Sequence, residues 1–121
     1  MVLTKSKEDY LEAILILEKN NEKIQSVKIA KMLKVSKPGV NKAMNYLKNN
    51  GLIEHFNYSE IKLTEKGRKI ANLVYEKHLT IKKFLLKLDV SENIAEHDCC
   101  LIEHIISDET YEKIKEFLNK N

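Results

Sequence analysis

The 121-residue chain has little of what interrupts helices: one proline and three glycines. That scarcity leaves no room for a Pro/Gly/Ser-rich linker, and no repetitive stretch breaks the Lys- and Glu-rich pattern. No apolar run approaches the roughly 20 residues that cross a bilayer. The N-terminus also lacks the basic, apolar and small-residue regions of a signal peptide. A cytoplasmic protein with no membrane partner is therefore expected. Cysteine is confined to the adjacent pair Cys99 and Cys100. In a reducing compartment a structural disulfide is not expected, which leaves a buried thiol or a metal ligand. Charge of one sign is scarce too: 21 Lys and Arg stand against 18 Asp and Glu, an excess that suits nucleic acid but also many ordinary proteins.

Among what is present, 43% apolar residues suffice for a core, in one domain or a small domain with an extension. Charge is unevenly placed: basic residues crowd between Lys28 and Lys48, and acids collect between Asp89 and Glu116. The two ends are expected to do different jobs, with a division into residues 1–72 and 73–121.

Periodicity and caps predict a mainly α chain. Ser6, followed by Glu8 and Asp9, reads as a helix start, with an apolar stripe through Leu11, Ile14 and Leu15 to about Lys19. Ile24 or Gln25 reads as a short extended stub, and Ser26 as the cap of a helix packed on two sides through Val27, Ile29, Ala30, Met32 and Leu33. Ser36 is a good N-cap with Pro38 in the first turn, opening a helix to about Asn49 whose buried stripe is Val40, Ala43, Met44 and Leu47. Residues 52–56 and 60–63 read as strands around the turn Asn57 to Ser59. Thr64 with Glu65 starts a long helix to about Leu88, and Ser91 and Ser107 cap two more.

Two short helices, a tight turn and a hairpin make the order of a winged helix-turn-helix. A recognition helix needs short polar side chains near its N-terminus, so that the backbone can approach the major groove, and cations along its flank for phosphates. Ser36, Lys37, Pro38, Asn41, Lys42 and Asn45 are such a set, and His55, Asn57, Tyr58 and Lys62 extend it along the wing.

A second pattern lies near the C-terminus. If residues 96–104 are helical, Glu96, His97, Cys100, Glu103 and His104 fall within an arc of roughly 120° at about 100° per residue. Two carboxylates, two imidazoles and a thiol on one face are costly without a compensating partner, and a metal is such a partner. Asp9 and Glu12, one helical turn apart, point the same way and could add carboxylates to that shell.

These residues carry a resemblance. The chain resembles the iron- and manganese-dependent repressors related to diphtheria toxin repressor and the manganese transport regulator. The likeness runs from about Lys7 to Leu118: the segment Glu8 to Ile14, the helix-turn-helix from Val27 to Leu47, Leu63 to Gly67, Lys77-His78 and, most specifically, Cys100 to Ser107. It implies a primary metal site of Asp9, Cys100, Glu103 and His104, while Glu12 and His78 match positions of a second or adjoining site; one strong site is expected, with Glu12, His78 and Glu96 as additional candidates. It also implies that Ser36, Pro38 and Lys42 face bases. In the family, metal binding repositions helix one and favours a dimer that fits a palindromic operator. This chain mixes two branches: Asp9 and Glu12 look like the manganese type, Cys100 like the iron type, and Lys82 and Glu96 replace acid and imidazole ligands of the iron type's adjoining site. It ends where longer members add a small barrel domain, as the short form does.

The resulting expectation is a winged helix-turn-helix in residues 1–72 followed by a helical metal-binding and dimerisation domain in residues 73–121. Its activity would be that of a metal-activated repressor, a homodimer on double-stranded operator DNA. One thiolate and one imidazole with carboxylates favour Fe(II), with Mn(II), Co(II), Zn(II) or Ni(II) as alternatives. The alternative is a winged-helix regulator with a structural zinc and another signal. An enzyme is not expected, because no His-Glu-x-x-His or other hydrolytic pattern is present.

Overall fold

Residues 3–55 and 60–120 are described by the structure, a computed structural model. Among the described residues, six helices and a pair of strands follow in the order α1 (Lys5–Lys19), α2 (Ser26–Leu33), α3 (Lys37–Asn49), β1 (Ile53–Glu54), β2 (Lys62–Leu63), α4 (Glu65–Lys87), α5 (Glu92–Ile102) and α6 (Asp108–Lys120). The chain divides into two compact units, Met1–Asn72 and Leu73–Asn121. The residues between His55 and Glu60, including Asn57 and Tyr58, lie outside the described ones.

In the first unit, α1 starts one residue earlier than expected, because Thr4 rather than Ser6 is the cap and its hydroxyl accepts from the Lys7 amide at 3.3 Å. Tyr10, Leu11, Ile14, Leu15 and Leu17 are buried along it. Each fully buried aliphatic contributes about 1.5–3 kcal/mol, so this stripe outweighs any detail of the cap. α2 departs further from expectation. Gln25 occupies its N-cap position without a side-chain hydrogen bond, so Ser26 is not the cap. Only Ile29 is fully buried, while Val27 and Met32 are exposed, so α2 packs on one side rather than two. Lys34 then takes the left-handed conformation, φ 55°, and the Lys34 and Val35 amides both donate to the Ala30 carbonyl, which turns the chain into α3. The expected stripe of Val40, Ala43, Met44 and Leu47 is buried on α3.

The hairpin is antiparallel, with Ile53 opposite Leu63 and Glu54 opposite Lys62. It is shorter than predicted because one of its residues is used elsewhere: the Ile61 amide donates to the Ile24 carbonyl at 2.9 Å, and the Ile24 amide donates to Glu60 Oε1 at 3.2 Å. α1, α2, α3 and this hairpin form the winged helix-turn-helix.

Thr64 ties the hairpin to α4. Its amide donates to the Leu52 carbonyl, its hydroxyl donates to the Gly51 carbonyl at 2.7 Å, and the same hydroxyl oxygen accepts from the Gly67 amide at 3.0 Å. A Cβ on Gly67 would run into the Leu52 carbonyl, so only glycine lets the helix start this close. One turn on, the Arg68 guanidinium donates to both carboxylate oxygens of Glu18 on α1, at 2.8 and 2.9 Å.

The second unit holds the rest of α4 with α5 and α6. Ile81, Ala95, Cys99 and Tyr111 are buried in it. The Tyr111 hydroxyl donates to Thr80 Oγ1 at 3.5 Å, and Phe84 meets Phe117 edge-on with ring centres 5.7 Å apart. Ser107 caps α6, accepting from the Thr110 amide at 3.2 Å. Several large apolar side chains stay outside: Leu79, Leu86, Leu101, Ile105 and Phe117 are exposed, Ile105 to 81%.

Candidate metal centre and nucleic-acid interface

Within the second unit, polar side chains converge on His78 of α4. Its Nδ1 lies 3.0 Å from Glu103 Oε2 and its Nε2 lies 3.1 Å from Glu96 Oε1. The same ring has two thiols beside it, with Cys99 Sγ 3.6 Å and Cys100 Sγ 3.7 Å from Nδ1. Glu103 Oε1 in turn stands 3.2 Å from His104 Nε2, and the side chains of Glu103 and His104 are each only 1% exposed. Five of the predicted metal residues, His78, Glu96, Cys100, Glu103 and His104, are thus brought together, joined by Cys99. Asp9 and Glu12 lie one turn apart on α1 in the first unit, both half-buried, with Asp9 Oδ2 2.8 Å from Lys5 Nζ.

The arc drawn from the sequence needs one correction. α5 ends at Ile102, so Glu103 is its C-cap and His104 falls in the following turn rather than on a continuing helix. His78 also approaches between Cys99 and Cys100, not opposite Cys100. His97 therefore points away: its side chain is 72% exposed and pairs with Asp98 at 3.2 Å. Cys99 was legible as one of two neighbouring thiols, but centring the arc on Cys100 left it outside.

Electrostatics follow from these neighbours. Burial pushes the Cys99 thiol up to about 12, helped by negative charge from Cys100, Glu96 and Glu103. Burial also pushes the Glu96 carboxyl up, but Lys82, 3.0 Å away, and His78 together outweigh it and leave Glu96 below its ordinary value. Glu96 is therefore shared between a lysine and an imidazole. Lys82, in turn, is raised chiefly by its hydrogen bond to Glu96.

On α3 the candidate DNA residues form one outward surface. Ser36, Lys37, Pro38, Asn41, Lys42 and Asn45 are all exposed, opposite the buried stripe. Ser36 Oγ accepts from the Gly39 amide at 3.2 Å and holds the first turn in place. On the hairpin, Lys62 is exposed and His55, just past β1, is half-buried. Asn57 lies outside the described residues.

Two family profiles cover almost all of the sequence. Residues 2–61 match the iron dependent repressor, N-terminal DNA binding domain, and residues 64–121 match the iron dependent repressor, metal binding and dimerisation domain. An uncharacterised HTH-type transcriptional regulator of Methanocaldococcus jannaschii is 38% identical over 120 residues, which are 98% of this chain and 96% of the relative. The chain belongs to the iron-dependent repressor family. The transcriptional regulator MntR of Escherichia coli O6:H1 is 36% identical over 94% of this chain and 74% of its own length. The solved structure of the manganese regulator SloR superposes with a TM-score of 0.83 at 32% identity, covering 100% of this chain. The chain spans 56% of that SloR chain, about half its length.

Family membership implies a divalent metal, and the residues fit one. Glu103 is a carboxylate buried to 3% exposure whose Oε1, although 3.2 Å from His104 Nε2, is not aligned to accept a hydrogen bond from it or from any other described residue. Burying such an oxygen costs about 1–3 kcal/mol or more unless something compensates. The surrounding imidazole, thiol and carboxylate donors are the ligand types that transition metals take. Among the described residues no helix is long and apolar enough to cross a membrane.

Proposed function

We propose that this member of the iron-dependent repressor family is a metal-activated transcriptional repressor, with DNA binding in residues 1–72 and metal binding and dimerisation in residues 73–121. The observation that carries the reading is the gathering of His78, Cys100 and His104 about the buried Glu103 carboxylate in a chain that also presents a polar recognition helix. In this reading Asp9, Cys100, Glu103 and His104 hold the primary ion; Asp9 enters through the family resemblance. Glu12, His78 and Glu96 are adjoining ligands. The ion would supply positive charge that offsets the two carboxylates and the thiolate of the primary set. Without it the acids repel, and α1 is not drawn toward the Cys100 segment. Because α1 leads into α2 and α3, its position sets the placement of Ser36, Lys37, Pro38, Asn41, Lys42 and Asn45 in each half of a homodimer. His55, Asn57 and Lys62 of the wing add contacts to the DNA backbone. Two-fold symmetry then calls for a palindromic operator with half-sites about one helical turn apart, or a multiple of it.

The soft Cys100 ligand favours Fe(II) over Mn(II), while similarity to a manganese regulator favours Mn(II). Titrating operator DNA with the chain in Fe(II) under reducing conditions, Mn(II) and Zn(II), and repeating this on Cys100→Ala, tests the reading. The effective ion is expected to raise affinity on the order of 5–150-fold, and Cys100→Ala to lose most of that gain with Fe(II). Equal affinity with and without every ion would refute metal activation. A structural zinc would show itself differently, by loss of the fold in the metal-free chain.

A further inference from the structure

The function proposed above leaves Cys99 without a role, although this buried thiol faces the same imidazole as Cys100. We propose that Cys99, Cys100 and His78 Nδ1, with Glu103 Oε2 beside them, form an alternative site, overlapping the one above, for a thiophilic d10 cation such as Cd2+ or Zn2+, with all its ligands within Leu73–Asn121. Cys99 Sγ, Cys100 Sγ and Glu103 Oε2 surround His78 Nδ1 at 3.6, 3.7 and 3.0 Å. One donor atom each from His78, Cys99 and Cys100 all lie within 4.8 Å of one another. Tetrahedral zinc holds sulfur at about 2.3 Å and nitrogen at about 2.0 Å, so its sulfur and nitrogen ligands stand about 3.5 Å apart. The two sulfur–Nδ1 distances already have that spacing; Cys99 Sγ also lies 3.7 Å from Nε2, so a turn of the His78 ring is what brings the Nδ1 lone pair to the ion.

Both ring nitrogens face a carboxylate, Nε2 that of Glu96 at 3.1 Å and Nδ1 that of Glu103 at 3.0 Å. With an ion on Nδ1, the ring proton stays on Nε2 and is donated to Glu96, the arrangement that orients a coordinating imidazole. Two thiolates and one imidazole select soft ions over Mn(II), which prefers oxygen. Binding needs no oxidant: two S–H bonds break, two metal–sulfur bonds form, and two protons leave to solvent. Because Cys100 and Glu103 belong to both sites, a bound soft ion denies them to the activating metal. That consequence rests on the function proposed above; the site itself does not.

Titration of the full reduced chain with Cd2+ alone tests it. X-ray absorption on the wild-type chain is expected to count two sulfur neighbours per Cd2+; one sulfur in an oxygen-rich shell would overturn the proposal, and this measurement needs no variant. In Cys99→Ser the thiolate-to-cadmium absorption per ion should fall to about half, and the affinity by more than about tenfold, a loss at least as large as that for removing a supporting partner of a metal ligand. Asp9→Ala should leave both unchanged. Cd2+ binding that survives in Cys99→Ser but is lost in Asp9→Ala would overturn the proposal and assign the ion to the primary site. No arm uses DNA, so a failure of metal-activated repression would leave this result standing.

Discussion

Glu18 and Arg68 show what one side-chain pair contributes when both ends remain partly wet. Their two hydrogen bonds hold the Glu18 carboxyl below its ordinary 4.5, against an opposing push from partial burial. A carboxyl whose folded pKa is depressed adds stability above its unfolded pKa and loses it as pH falls through the folded one. With 43% of the arginine and 34% of the glutamate side chain exposed, solvent screening limits the contribution to about 1 kcal/mol. Glu18→Gln is therefore expected to cost about that much at neutral pH in urea unfolding, and progressively less below pH 4.5. A cost independent of pH would show that the pair acts by packing alone. Nothing in the sequence announced this contact, because the two residues are fifty positions apart. Cys100, Glu103 and His104 were legible because rare ligand types recur at short spacing. Their grouping with His78 was not, since it depends on how α5 ends and how α4 lies against it.

The helices were the most readable elements because each carries a long apolar stripe. Their ends were less so. Ser6 and Ser26 both fit the composition of a cap, but the first turn of α1 forms on Thr4 and α2 has no side-chain cap. Local competition among hydroxyls decides such cases, and the stripe does not report on it. Ser36 is the exception, since Pro38 fixes the first turn of α3 one way. Its cap invites a two-part test. Ser36→Ala should destabilise the chain by about 1 kcal/mol and weaken operator binding by fraying the turn that carries Lys37 and Pro38. Ser36→Asp should keep the stability, since aspartate caps well, while weakening DNA binding through repulsion of phosphates. Unchanged DNA affinity in Ser36→Asp would place this turn away from the DNA. The hairpin was legible as a pair of strands, but its length was not, because the bonding of Ile61 to Ile24 is a long-range choice.

At the scale of the whole molecule, Leu79, Leu86, Leu101, Ile105 and Phe117 are apolar side chains that the second unit leaves outside. Sequence could name such residues but could not divide them between core and surface, since both uses show the same periodicity. If a second copy covers them, Ile105→Asp should weaken the dimer in sedimentation while leaving the fold intact, because a side chain 81% exposed is not part of the core. Operator affinity should fall with it. An unchanged dimer would place the interface elsewhere on the unit. The boundary between the units has a practical consequence of its own. It falls between Asn72 and Leu73, inside α4 rather than in a loop. Proteases cut most readily at exposed loops, and this junction offers none, so limited digestion is a poor way to separate the halves. Expressing them separately meets a related obstacle: a gene started at Leu73 opens the second unit in mid-helix, without the Thr64 hydroxyl that accepts from the Gly67 amide in the first turn of α4. The two units can be told apart on the page more easily than they can be parted in the tube.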